Sequence, residues 1–204
     1  MKIAIDIDEI VVEYLKSFLK FLNAEKKINI NYYEVLDYNN LCSGKGLNLE
    51  QVQEYIQEHT SGDSTLLNLE LIKGSLDSIN FLENNHEIFF VTSRHVSNEE
   101  KTRTFFKKHF PHKEFKIIFS GDAWGGNKSK SEICFEENCS ILIEDNLSYA
   151  KDCARKGVKV LLLNKPWNQN FENYKNIVKV NDWNEILEKI NEFEKQEAIY
   201  KNAN

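Results

Sequence analysis

The stretch Lys2-Ile3-Ala4-Ile5-Asp6-Ile7-Asp8-Glu9-Ile10 decides the fold. Its apolar run lacks the alternation of a half-exposed strand, so it reads as a central strand of a parallel sheet covered on both faces. It ends in carboxylates. Side chains alternate along a strand, which puts Asp6 and Asp8 on the same side at the carboxyl end, where open α/β sheets hold their ligands. Two carboxylates so close repel one another unless something neutralises them, and a hard divalent cation such as Mg²⁺ takes oxygen ligands readily. Asp-x-Asp alone is a loose signal, since two acids can simply terminate a strand.

Outward from this strand, Val11, Val12, Leu15, Phe18, Leu19 and Leu22 recur at helical spacing and predict a helix of about three turns. A polar and aromatic segment follows, with Tyr32, Tyr33 and Tyr38 and a Gly44-Lys45-Gly46 break. Asn48 with Gln51 resembles a capping box that opens a second helix through Leu49, Val52, Tyr55 and Ile56. No convincing strand occurs before residue 86. Gly74 and Ser75 start a helix carrying Leu76, Ile79 and Leu82, and from there strands and helices alternate. Strands are expected at Glu87–Val91, Phe115–Phe119, Ser140–Ile143, Val158–Leu163 and Ile177–Val180. Capping boxes are expected at Ser97 with Glu100 and at Ser129 with Glu132, and Asn146 can cap a further helix. Asp182 and Glu185 open a charged terminal helix bearing Ile186, Leu187, Ile190 and Phe193; its last residues, through Asn204, are expected to fray.

This order argues for a Rossmann-like, doubly wound parallel α/β sheet with helices on both faces. Residues 13–73 contribute helices and no strand, and are expected to form a small helical cap inserted after the first strand, leaving 1–12 and 74–204 as the core.

With 41% apolar and 28% charged residues the chain has the balance of a soluble globular protein. Lys and Arg total 26 against 32 Asp and Glu, a net charge of -6, which disfavours a broad basic surface for polymeric nucleic acid. A small anionic substrate needs only a cationic pocket. Asp6, Asp8 and Glu9 interrupt any amino-terminal apolar segment and no run approaches membrane-spanning length, so the cytoplasm is the default expectation. Cys42, Cys134, Cys139 and Cys153 show no Cys-x-x-Cys spacing and read as reduced thiols, mostly in the core. The histidines show no i, i+4 pairing, which argues against zinc.

Asp6 with Asp8, Thr92, Lys130 and Asp145 all fall at strand ends or helix starts that a doubly wound sheet directs to one crevice. Phosphoryl transfer needs such a set: a nucleophile, a metal, a hydroxyl and N–H groups to hold phosphate, and a fixed cation. Each residue alone is poor evidence. Thr92 by itself reads as strand packing, Lys130 as a surface lysine, and Asp145 as a helix cap.

The order Asp-x-Asp, a strand ending in Thr, a Lys, then an acidic pair after a strand resembles the haloacid dehalogenase superfamily of phosphatases. More narrowly, IAIDIDEIVVEYL, FFVTSRH, KSKSEIC, ILIEDN and KPWN resemble bacterial 5'(3')-deoxyribonucleotidase-like proteins. The resemblance spans nearly the whole chain and is weakest over residues 25–73. It implies Asp6 as the nucleophile that forms an aspartyl-phosphate, and Asp8 as the general acid and base. It also implies Thr92, with Ser93 beside it, and Lys130 as phosphate-binding groups, and Asp6, Asp8 and Asp145 as Mg²⁺ ligands, Asp8 through its main-chain carbonyl. The implied activity is Mg²⁺-dependent hydrolysis of a phosphate monoester, a nucleoside monophosphate foremost.

Several alternatives stay open. Lys128 could replace Lys130, although the capping box favours Lys130. Relatives often carry two aspartates where this chain has Glu144-Asp145, so either acid could touch the metal, with Glu144 and Asn146 otherwise supporting it. Glu9 stands where many members have a small residue, and its length is expected to narrow the pocket. Arg94 and His95 flank the phosphate pocket or lie on the surface; Tyr32, Tyr33 and Tyr38 stack a nucleobase or form the insertion's own core. Trp167 is expected to border the site. The substrate could be another small phosphate ester, and two readings without turnover are a phosphate-binding protein and a signalling receiver domain.

Overall fold

The computed structural model describes residues 1–36, 45–62, 64–126 and 128–202. Tyr38, Cys42, Gly44 and the last two residues, 203–204, lie outside them.

Among the described residues six strands form one parallel sheet: β1 (Lys2–Ile5), β2 (Glu87–Thr92), β3 (Ile117–Phe119), β4 (Ile141–Glu144), β5 (Lys159–Leu163) and β6 (Ile177–Val180). Their order is β3-β2-β1-β4-β5-β6, so the winding reverses between β1 and β4. That reversal opens a crevice at the carboxyl ends of the strands. The order differs from the 2-1-3-4-5 arrangement of receiver-type sheets, which removes the structural basis for the receiver reading. Ile5 is level with Phe90 on one side and with Ile143 on the other. Asp6 N–H then donates to Ile143 O at 3.0 Å, so Asp6 and Glu144 leave the sheet side by side.

The lack of alternation in the strands has a direct cause. Ile3, Ile5, Phe90, Ile141 and Ile143 feed one core, and Ala4, Phe89, Val91, Leu142, Val160 and Leu162 feed a second on the opposite face. The first core is closed by α1 (Tyr14–Lys26), α3 (Ser75–Asn85), α4 (Glu99–His109) and α7 (Trp183–Asn202). The second is closed by α5 (Lys130–Glu136) and α6 (Leu147–Arg155). Between α1 and α3 lies α2 (Leu49–Ser61), whose Asn48–Gln51 capping box forms as expected. Ser129 and Glu132 likewise form a reciprocal box at α5, and Asn146 caps α6 through Ser148 N–H. Cys134, Cys139 and Cys153 are buried free thiols. Among the described residues no helix is long and apolar enough to cross a membrane.

Three local expectations change. The first helix begins at Tyr14, because Val11 and Val12 close a tight turn in which both N–H groups donate to Ile7 O, at 2.8 and 3.2 Å. Glu9 makes that turn possible by adopting a left-handed φ of 62°, uncommon for a residue with a Cβ. The Ser97–Glu100 box does not form. Ser97 N–H instead donates to His95 Nδ1 in a 3-10 turn over Val96–Asn98, and α4 starts after it. The third strand starts at Ile117, since Phe115 turns inward to pack edge-on against Phe90 and Phe110.

Candidate active site

The crevice collects side chains from β1, β2, β4, α5 and the inserted helices. Asp6, Asp8, Ser93, Arg94, Lys130, Glu144, Asp145 and Asn146 line its floor, and Tyr14, Ile56, Thr60 and Leu66 reach it from residues 13–73.

Lys130 is the first residue of α5, held there by the Ser129–Glu132 box, and it is almost wholly buried. Its Nζ sits 2.9 Å from Asp6 Oδ1 and 2.9 Å from Glu144 Oε2, and 4.7 Å from the centroid of the Tyr149 ring. Burial alone would lower its pKa, but Asp6 and Glu144 more than offset that and hold it well above the usual lysine range. Lys128 instead pairs with Glu136 on the surface.

Asp6, Glu144 and Asp145 are all buried, and one carboxylate oxygen from each lies within 4.8 Å of the others. Burial pushes Asp6 up to about 8, with Lys130 opposing and Glu144 and Asp8 adding to the rise. Asp145 is pushed well above its ordinary value by burial and then by its acidic neighbours. Of the three buried carboxylates, Asp6 and Glu144 share Lys130, and Asp145 feels the charge of Lys165 without an ion pair among the described residues, an imbalance of charge that a hard cation with oxygen ligands would relieve. The donor set therefore fits Mg²⁺. Glu144, the alternative to Asp145 for direct contact with the metal, contributes an oxygen to the same cluster as Asp145, while its Oε1 accepts the N–H groups of Asp145 and Asn146 at 3.2 and 3.0 Å.

Asp8 stands outside that cluster. Its carboxylate is gripped by Arg94, with Nη2 2.6 Å from Oδ1 and Nε 2.9 Å from Oδ2, while Arg94 Nη1 donates to Thr102 Oγ1 at 3.1 Å. Arg94 is thus a buried partner of the site, and its place directly after Thr92-Ser93 was the signal in the sequence.

Thr92 is fully buried and is not among the residues lining the crevice; its Oγ1 accepts Arg94 N–H at 3.2 Å. A hydroxyl that accepts one hydrogen bond keeps its own proton to donate. Ser93 does line the crevice, and its main-chain oxygen accepts Trp124 Nε1–H at 3.1 Å.

Glu9 does not narrow the pocket. The left-handed turn sends its carboxylate away from the crevice, where it accepts Leu15 N–H at 2.7 Å, Tyr32 O–H at 3.1 Å and Lys165 Nζ at 3.2 Å. Tyr32 meets Trp167 edge-on and Tyr33 is exposed; neither lines the crevice, whose aromatic walls are Tyr14, His95, Trp124 and Tyr149. Trp167 borders the site, donating Nε1–H to Asp145 Oδ2 at 2.8 Å, and Asn168 donates to Asp145 O at 2.8 Å. Periodicity could not reveal Tyr14, because its spacing also suits a core residue.

No protein-family model matches the chain. A Clostridium acetobutylicum nucleotidase is 32% identical over 120 residues, a match spanning 58% of each chain. A Bacillus subtilis protein, YqfW, named as a candidate nucleotidase, is 24% identical over 196 residues, 94% of each chain. Among solved structures, the haloacid dehalogenase-type hydrolase YfnB of Bacillus subtilis, crystallised with magnesium, superimposes with a TM-score of 0.60 at 17% identity, over 93% of this chain and 98% of that one. A haloacid dehalogenase-like hydrolase of Streptococcus pneumoniae gives 0.61 at 14% identity, over 93% and 97%. The chain has the fold of the haloacid dehalogenase-type hydrolases.

Proposed function

We propose that the protein is a Mg²⁺-dependent phosphomonoesterase that hydrolyses nucleoside monophosphates through a phosphorylated Asp6. The observation that carries this reading is Lys130, buried and shared between Asp6 and Glu144 beside Asp145, at the point where the sheet reverses. The nucleotidase names of the sequence relatives support the substrate class.

Asp6, Glu144 and Asp145 would hold the ion, which would neutralise charge on the phosphate oxygens. An Asp6 carboxylate oxygen attacks phosphorus, and the bond from phosphorus to the ester oxygen breaks. Asp8 protonates the departing alkoxide; it then takes a proton from water as that water attacks phosphorus and releases Asp6. Lys130 balances the equatorial oxygens with a charge that needs no reorganisation, since both of its anchors are already in place. Ser93 holds the phosphate from the crevice wall, and Thr92, buried behind it, steadies that turn by accepting Arg94 N–H. Arg94 keeps Asp8 facing the crevice and apart from the acidic cluster. Residues 13–73 act as a cap, with Tyr14, Ile56, Thr60 and Leu66 shaping the space for the alcohol.

The test is phosphate release from a panel of 5' and 3' ribo- and deoxyribonucleoside monophosphates and sugar phosphates, with and without Mg²⁺. Mg²⁺-dependent release that favours nucleotides and disappears in Asp6→Asn is the expected result. Full activity in Asp6→Asn overturns the covalent route; preference for a different ester overturns the substrate.

A further inference from the structure

Tyr14 opens α1 just after the turn that carries Asp8, and its side chain lines the crevice. It is 7% exposed, and its hydroxyl has no hydrogen-bond partner among the described residues. The ring is well fixed, stacked on Phe18 with centroids 6.1 Å apart and tilted against His59 at 5.8 Å. Asp8 and Arg94, the pair that would serve the leaving group, line the same crevice.

A buried hydroxyl without a partner is costly, and native proteins leave few of them. A tyrosine here has no packing advantage over phenylalanine, since the ring alone makes the contacts with Phe18 and His59. The oxygen is therefore explained by something that enters the crevice. Around it the wall is otherwise apolar at Ile56 and Leu66 and polar at Thr60 and Asn98. Those two polar groups already serve each other, Asn98 Nδ2 donating to Thr60 Oγ1 at 3.3 Å.

We propose that the Tyr14 hydroxyl recognises the substrate's alcohol, donating a hydrogen bond to an oxygen carried close to the scissile ester. It thereby selects esters of oxygen-rich alcohols, such as the furanose of a nucleotide, over plain aryl phosphates. The proposal deepens the phosphomonoesterase reading and rests on Asp8 facing the leaving group.

The experiment compares wild type with Tyr14→Phe on thymidine 5'-monophosphate and on phenyl phosphate, which has no oxygen beyond its ester. Losing one neutral hydrogen bond should lower kcat/KM for the nucleotide about 10-fold and leave phenyl phosphate within about 2-fold. The melting temperature of the free variant should not fall, because the hydroxyl holds nothing in the free protein. Equilibrium binding of the same two esters in the Asp6→Asn background, with Mg²⁺, should show the same selective loss. Equal losses on both esters, no loss on either, or a lower melting temperature would overturn the assignment and leave the phosphatase reading standing. A selective loss of nucleotide binding without turnover of any ester by the wild type would keep Tyr14 as a recognition group and overturn the phosphatase reading. Failure of both esters to bind would overturn both.

Discussion

Arg94 and Asp8 form a bidentate ion pair that joins the end of β2 to the turn after β1, with contacts of 2.6 and 2.9 Å. The Arg94 side chain is 6% exposed and that of Asp8 20%, so water screens the pair poorly on the arginine side. Thr102 holds the far nitrogen of the same guanidinium, and the fork has little freedom to turn.

If this grip aims Asp8 at the leaving group, its loss matters most where the leaving group needs a proton. Arg94→Met should lower kcat about 100-fold on an alkyl phosphate, the scale of a general acid, and only a few-fold on p-nitrophenyl phosphate. Arg94→Lys should recover little, since an ammonium cannot reproduce the fork. Equal losses on both esters would assign Arg94 to folding or phosphate binding.

Removing Lys130 leaves Asp6 and Glu144 buried without their shared cation. Lys130→Met should cost on the order of 3 kcal/mol in a denaturant titration, within the range for breaking a buried ion pair. It should also lower kcat/KM at least 100-fold. Lys128→Met, at a surface pair with Glu136, should cost under about 1 kcal/mol and leave turnover near wild type. The reverse ranking of the two lysines would refute the site as drawn.

A cation held by Asp6, Glu144 and Asp145 binds the folded chain and not the unfolded one, so Mg²⁺ should raise the melting temperature as its concentration grows. At 100 times the dissociation constant the gain is about 2.7 kcal/mol. Asp145→Asn should flatten that dependence, and EDTA should remove both the stabilisation and the turnover. A melting curve indifferent to Mg²⁺ would speak against the cluster as its site.

His59 supplies a pH dependence outside the acidic cluster. It lies among the rings of Tyr14, Phe18 and Phe21, with Ser17 Oγ 3.2 Å from its Nε2, and burial lowers its pKa to about 4. The unfolded histidine titrates near 6.5, so below that pH the unfolded chain takes a proton that the folded chain refuses. The stability this neutral ring contributes is complete above about pH 6.5 and is lost as the pH falls toward 4. Allowing for screening of the new charge by water, the loss by pH 5 is about 1 kcal/mol. Stability curves at pH 7.5 and pH 5 should therefore differ less in His59→Gln than in wild type. Equal acid sensitivity would remove His59 as the cause.

The central strands were legible because β1, β2, β4 and β5 bury both faces, which makes a short apolar run distinctive, and the capping boxes at Asn48 and Ser129 were legible because their chemistry is local. The box at Ser97 failed for a tertiary reason. Asn98 is drawn to Thr60 on α2, a contact across 38 positions that periodicity cannot anticipate, and the neighbouring His95 takes the Ser97 N–H locally. Glu9 misled in the same way. Its length suggested a crowded pocket, whereas a left-handed turn turns the carboxylate toward Lys165, 156 positions along the chain.

By itself the sequence determined the doubly wound parallel sheet and the order of acids, hydroxyl and lysine along it, because strand period and capping chemistry act over a few residues. Only the tertiary structure decided which atoms meet. It set Lys130 between Asp6 and Glu144, gave Asp8 to Arg94, and left a crevice-lining Tyr14 whose buried hydroxyl has no partner among the described residues. Those pairings depend on strand register and on how buried charges find partners across the chain, and neither is written in any local window.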